Sequence, residues 1–221
     1  MISPNRIIPI LFILLIAGTG SSSAQFFDIS SGGLPTITGA NGGSVSGSSS
    51  TNTNLSVTIN FGEVSPSNTN NIVKVTVPVG IRSLAAYRVT ATITGGTNAN
   101  AQAVQRADIG FGIENLRRTG FFSLNCRVNS HTIYSPFNND PADNVSILPN
   151  GRVSYPGTLN NISGSTTVLS GPALSWLLGA RFSGNEWIFD AIFTITPQFF
   201  APGTTSATIT FTISAGPSAS C

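Results

Sequence analysis

"TSATITFTIS", Thr205 to Ser214, separates Ala207, Ile209, Phe211 and Ile213 by single Thr or Ser residues. Such alternation places one face of an extended strand on a core and the other in water. The same period of two recurs upstream. Leu55, Val57, Ile59 and Phe61 alternate with Ser, Thr and Asn, and Val73, Val75, Val77 and Val79 alternate with Lys74, Thr76 and Pro78. Further sets are Tyr87–Val89–Ala91–Ile93, Ile109–Phe111–Ile113, Phe122–Leu124–Cys126–Val128 and Phe189–Ala191–Phe193–Ile195. Between the runs lie clusters of turn formers: "SPSNTN" (65–70), "TGGTNAN" (94–100), "NNDPADN" (138–144), "LPNG" (148–151) and "APGTT" (201–205).

Many short strands at this spacing predict an all-β fold, specifically an antiparallel immunoglobulin-like β-sandwich of one domain. Pro78 interrupts a strand pattern, and proline is confined to sheet edges and bulges, so open sheets are favoured over a closed barrel. An outer-membrane barrel would need strands of about 9–11 residues and two aromatic girdles. The runs here are mostly shorter, and the chain ends in "GPSASC" rather than in a strand. Pro172 to Phe182, "PALSWLLGARF", reads as a short helix or a buried loop.

The N-terminus has a different character. Arg6 precedes an apolar run from Ile7 to Ala17, and Ser22-Ser23-Ala24 stands before Gln25. That is the pattern of a signal peptide over residues 1–24 with an A-x-A-like cleavage site. The run is too short for a transmembrane helix of about 20 residues, so no span is expected after cleavage. The expected address is exported: periplasmic, extracellular or cell-surface. Residues 25–54 are rich in Gly, Ser, Thr and Asn and read as a flexible tether. Only Phe26, Phe27 and Ile29 carry apolar weight there, and they form a candidate docking segment. The folded domain is expected over 55–221.

Charged residues make up 8% of the chain and the formal net charge is +2. Globular domains average about 25%, so the surface must be mostly hydroxyl and amide. A nucleic-acid partner needs clustered Lys and Arg. Lys74 is the sole lysine and the arginines are scattered, which argues against that partner. Cys126 and Cys221 are the only cysteines. An even number in an exported chain suggests a disulfide, with free thiols or an intermolecular bridge as the alternatives.

Chemistry-bearing constellations are sparse. His131 is the single histidine, and no G-x-S-x-G elbow accompanies it, so a strand-end or exposed role is expected. Asp108 and Glu114 are the nearest approach to a glycosidase pair, and surface carboxylates explain them more simply. Asp140 and Asp143 in "NNDPADN" offer hard oxygen ligands that suit calcium. A turn whose Asp and Asn side chains bond their own backbone explains that loop equally well. Trp176, Trp187, Tyr134 and Tyr155 are the candidate aromatic platforms for a glycan, and Arg117-Arg118 reads as a solvated loop. No catalytic residue and no cofactor is expected.

"APGTTSATITFTIS", Ala201 to Ser214, resembles the closing strand of spore-coat-U-type and related chaperone–usher pilin domains. There a Pro-Gly turn introduces a final Thr-rich alternating strand. The resemblance implies exported immunoglobulin-like subunits, some of which build fibres by adding a neighbour's strand to an open sheet edge. Two functions follow as expectations. One is a non-enzymatic exported structural or cell-surface protein, including a pilus-like assembly component with other subunits as partners. The other is an extracellular module binding a surface glycan or protein through its inter-strand loops.

Overall fold

The computed structural model describes residues 26–39, 42–67, 71–120, 128–174, 185–202 and 205–219. Every strand pairing is antiparallel, and no α-helix occurs among the described residues. Thirteen strands are present among the described residues: β1 (Phe27–Ser31), β2 (Thr36–Thr38), β3 (Ser44–Thr51), β4 (Asn54–Asn60), β5 (Val73–Ser83), β6 (Tyr87–Gly95), β7 (Gly110–Arg118), β8 (Thr132–Ile133), β9 (Ser146–Ile147), β10 (Val153–Ser154), β11 (Thr166–Gly171), β12 (Trp187–Ile195) and β13 (Ser206–Ala215). One sheet runs β1-β5-β12-β7 with β2 also on β5. The other runs β3-β4-β13-β6-β11-β8, and β9 and β10 form a separate hairpin. Neither order closes on itself, so the sheets do not form a barrel.

One continuous cluster of buried side chains lies between the two large sheets. Phe211 of β13 meets Phe189 of β12 edge-on at 5.9 Å and Phe111 of β7 at 6.3 Å. Phe111 and Phe193 stack at 5.1 Å. Each such ring contributes on the order of 1.5–3 kcal/mol by leaving water. The alternate residues of β13 point outward and explain its threonines. Thr210 and Thr208 hydroxyls bond those of Ser56 and Thr58 on β4 at 2.8 and 2.9 Å, and Thr212 donates to the Asn54 amide oxygen at 2.6 Å. Such cross-strand pairs are how a polar sheet face adds stability.

Strand β12 departs from the alternating rule, because all nine of its residues are buried. Trp187, Phe189, Ala191, Phe193 and Ile195 face the core, while Ile188, Ile192 and Thr194 on the other face are covered as well. Ile188 lies against the ribbon at Gly32, and over the Thr194 end the cover is the connection between β7 and β11. A side chain on Gly110 would meet Thr194, Pro141 and Tyr155, and one on Gly112 would meet the Asn139 carbonyl and Pro141. These two glycines, on the outer face of β7, open the slot into which that connection settles. It also caps the free edge of β7: the Phe111 and Ile113 amides donate to the Gly157 and Phe137 carbonyls at 2.9 and 2.7 Å.

The flexible tether expected over 25–54 is overturned from residue 26 onward, and so is a domain start at Leu55. Strands β1 and β2 lie end to end along the outer edge of β5, and β3 forms the edge of the second sheet against β4. Composition missed this because little of the holding force is apolar. Backbone groups on an open edge bind any extended segment that reaches them, and of the ribbon's apolar residues only Ile29 is fully buried, beside the buried Asp28 that pairs with Arg82.

Candidate functional site

The N-terminal ribbon, β1 with β2, is the candidate site. Ile29 pairs with Ile81 of β5 and is fully buried, and its amide donates to the Asn52 carbonyl at 2.7 Å. Phe27 lies opposite Ser83 and is half-buried; Phe26, just ahead of the strand, is half-buried too, and its carbonyl accepts from the Leu84 amide at 3.2 Å. All three docking residues therefore contact the chain's own body. Asp28 forms an ion pair with Arg82, whose guanidinium also sits 5.9 Å from the Phe26 ring centre. Glu186 lies beside this pair. Burial pushes its carboxyl up, the Arg82 charge pulls it back, and Asp28 adds a smaller upward push.

The gap between β1 and β2 has a cause in β5. Pro78 lacks an amide hydrogen, and its carbonyl, on the ribbon side, accepts from the Gly32 amide at 2.9 Å. The missing donor faces the same side, so a straight strand would lose a ladder bond there. The ribbon breaks at Gly32-Gly33-Leu34-Pro35 and resumes as β2. Gly32 passes so close to β5 that a Cβ would lie 2.9 Å from the Gly80 nitrogen. The sequence signal of this site was the apolar trio Phe26, Phe27 and Ile29; Arg82, Asn52 and Glu186 carried none, since only folding brings them to the ribbon.

The calcium candidates meet a different neighbour. Asp140 and Asp143 are joined by Glu114 of β7 in one acidic group, with ligand oxygens within 4.8 Å of one another. Asp140 is already engaged: Lys74 of β5 forms an ion pair with it, and its other oxygen accepts from the Ala142 amide at 2.8 Å. The ammonium takes the cation's place and the loop bonds its own backbone, so the residues fit an internal ion pair better than a calcium shell. Burial pushes the Glu114 carboxyl up, with Asp140 and Asp143 adding to it; a bond from the Asp140 backbone and the Lys74 charge oppose. A carboxyl raised by folding contributes stability below its ordinary range and loses it as pH rises through the folded value. Lys74→Met is expected to move the Glu114 carboxyl titration further up, measured by carbon NMR. It should also cost about 1–3 kcal/mol by leaving the buried Asp140 without its cation.

The remaining candidates are dispersed. His131, half-buried just before β8, bonds the Tyr87 hydroxyl at 2.9 Å and the Val128 carbonyl at 3.0 Å, and packs edge-on to Trp187 at 4.5 Å. Asp108 is held by Arg152 and by the Gln105 amide, apart from the Glu114 group. Trp187 is fully buried, Tyr155 is buried with its hydroxyl on Thr196 at 2.9 Å, and Tyr134 is half-buried and bonds Ser170 at 3.3 Å. None of these three presents an open platform. Arg117 is no solvated loop residue: it lies in β7 and pairs with Asp190 at 2.9 Å. Cys126, Cys221 and Trp176 lie outside the described residues, as does the Pro172–Phe182 segment beyond Leu174. Among the described residues no helix is long and apolar enough to cross a membrane.

Comparison with known protein families, with curated proteins and with solved structures finds no match.

Proposed function

We propose that this chain is a non-enzymatic structural component of a cell-surface assembly, exported after loss of residues 1–24, with an immunoglobulin-like sandwich as its body. The observation that carries the reading is the ribbon. It occupies a sheet edge of its own chain by backbone pairing, and only residues 39–43 join it to β3. A short segment so attached can leave its own β5 and add to the β5 of a neighbour without any new contact being invented. That is the same physics as in the pilin-type domains that Ala201–Ser214 resembles. Release requires Ile29 to leave the core, so exchange belongs to folding and assembly rather than to the folded monomer.

The test is refolding of the chain from Gln25 at rising concentration, followed by size exclusion with light scattering. Ribbon exchange yields dimers and longer species that increase with concentration. Ile29→Asp, which removes the anchor, should abolish them. A chain that refolds only to monomer, or species unchanged by Ile29→Asp, would remove the reading.

A second reading, a binding module for a glycan or protein, is favoured by a cleft of about 470 Å³ beside the β9–β10 hairpin. Gln105, Asn150, Ser154, Thr158 and Asn161 line it with amides and hydroxyls, and the Asp108–Arg152 pair is neutralised within it. Its volume falls in the range of ligand sites, about 300–1,000 Å³, and its uncharged chemistry suits a neutral polyhydroxylated ligand. A chain that remains monomeric after refolding would favour this second reading.

A further inference from the structure

The break in the ribbon leaves a hole in the edge of the fold. A cavity of about 120 Å³ opens between the two sheets, walled by Pro35, Val45, Leu55, Val57 and Val77. Leu55, Val57 and Val77 belong to the core, at 2%, 0% and 4% exposure, so the hole reaches the apolar interior. Leu34 stands at its rim and is 89% exposed. An isolated exposed leucine needs no explanation. One that stands beside an apolar hole of side-chain size does. Apolar cavities of about 150 Å³ admit a benzene-sized guest, and an isobutyl group is smaller.

We infer that this edge is a self-association surface, in which the Leu34 side chain of each of two copies enters the other's hole about a two-fold axis. Knob and hole lie side by side on one surface, which is the condition for an isologous contact. The hole itself permits close approach of like surfaces: none of the residues that line it is charged, and neither is any residue from Ile29 to Gly62. The neighbouring β3 ends its sheet and carries neither charge nor proline, the devices by which edge strands refuse partners. Val45 and Gly47 of β3 belong to the wall of the hole or its rim, which places the edge strand within the same contact. The inference goes beyond ribbon donation and needs neither export nor refolding.

The test is sedimentation velocity on the natively purified chain from Gln25, from on the order of 1 to 100 μM, a range that brackets a micromolar contact. The expected result is a monomer–dimer equilibrium that stops at two. Leu34→Asp should weaken it at least 100-fold, Ser46→Lys at least tenfold, and Leu34→Met little. Leu34 and Ser46 are exposed, so circular dichroism should be unchanged in these variants. A monomer throughout the range, a dimer indifferent to Leu34→Asp, or growth beyond two would overturn the inference. Leu34→Asp leaves Ile29 in place, so species formed on refolding should survive it; the two associations can therefore fail separately.

Discussion

Gly112→Ala should destabilise the fold by about 3 kcal/mol or more, the upper range of overpacking. A Cβ on Gly112 would lie 1.9 Å from the Asn139 carbonyl oxygen and 3.0 Å from Pro141. That carbonyl has little room to yield. The Ile113 amide holds Phe137 by its carbonyl at 2.7 Å, the Asn139 side chain donates to the Pro136 carbonyl at 2.9 Å, and Asp140 is tied to Lys74. Either β7 shifts in its sheet or the covering connection lifts and exposes the outer face of β12. For a domain of this size each kcal/mol lowers Tm by about 2–4 °C, so thermal unfolding should fall by roughly 6–12 °C. Gly47→Ala is the control: its Cβ would meet only the Ser56 carbonyl at 4.0 Å, and its Tm should hardly change. Equal Tm values for the two variants would show that the connection does not pack on β7 as described.

We propose that Cys126 and Cys221 form a bridge, whose loss should cost up to about 4–5 kcal/mol, because the loop it closes approaches a hundred residues and its closure entropy is removed from the unfolded chain. The described flanks of the two cysteines converge on Tyr87. On one side the Val128 carbonyl bonds His131, whose other ring nitrogen bonds the Tyr87 hydroxyl; on the other, the Gly216 amide donates to the Ala86 carbonyl at 3.0 Å. Cys126 is two residues before Val128 and Cys221 five after Gly216. A bridge between them requires a separation of about 4.4–6.8 Å between Cα atoms. Non-reducing peptide mapping of the air-oxidised chain from Gln25 should find the pair linked, and Cys126→Ala and Cys221→Ala should be equally destabilised. Two thiols that alkylate without reduction would dispose of the bridge.

The candidate site was legible in outline only. Phe26, Phe27 and Ile29 stand out as apolar residues in a polar stretch, whereas Pro78, which reads as a sign of a sheet edge, lies on β5 between the ribbon and β12. Their union was invisible, since β1 lies about fifty residues from its partner on β5 and no local pattern encodes a distance of that kind. The same holds for the acidic group. Asp140 and Asp143 stand three apart in one loop and invite a cation, whereas Lys74, which pairs with Asp140, comes from β5.

Alternation with a period of two is a property of the extended backbone itself, so residues such as Val75, Phe111 and Phe211 were assigned to the core by the order of amino acids alone, and with them an all-β chain. What lies against a strand is another matter. That β12 is buried on both faces, that Gly110 and Gly112 admit a covering connection, and that a glycine- and serine-rich segment becomes edge strands were decided by the folded molecule. Edge bonding and close approach depend on groups far apart in the chain, and they acquire a free energy only when the fold brings those groups together.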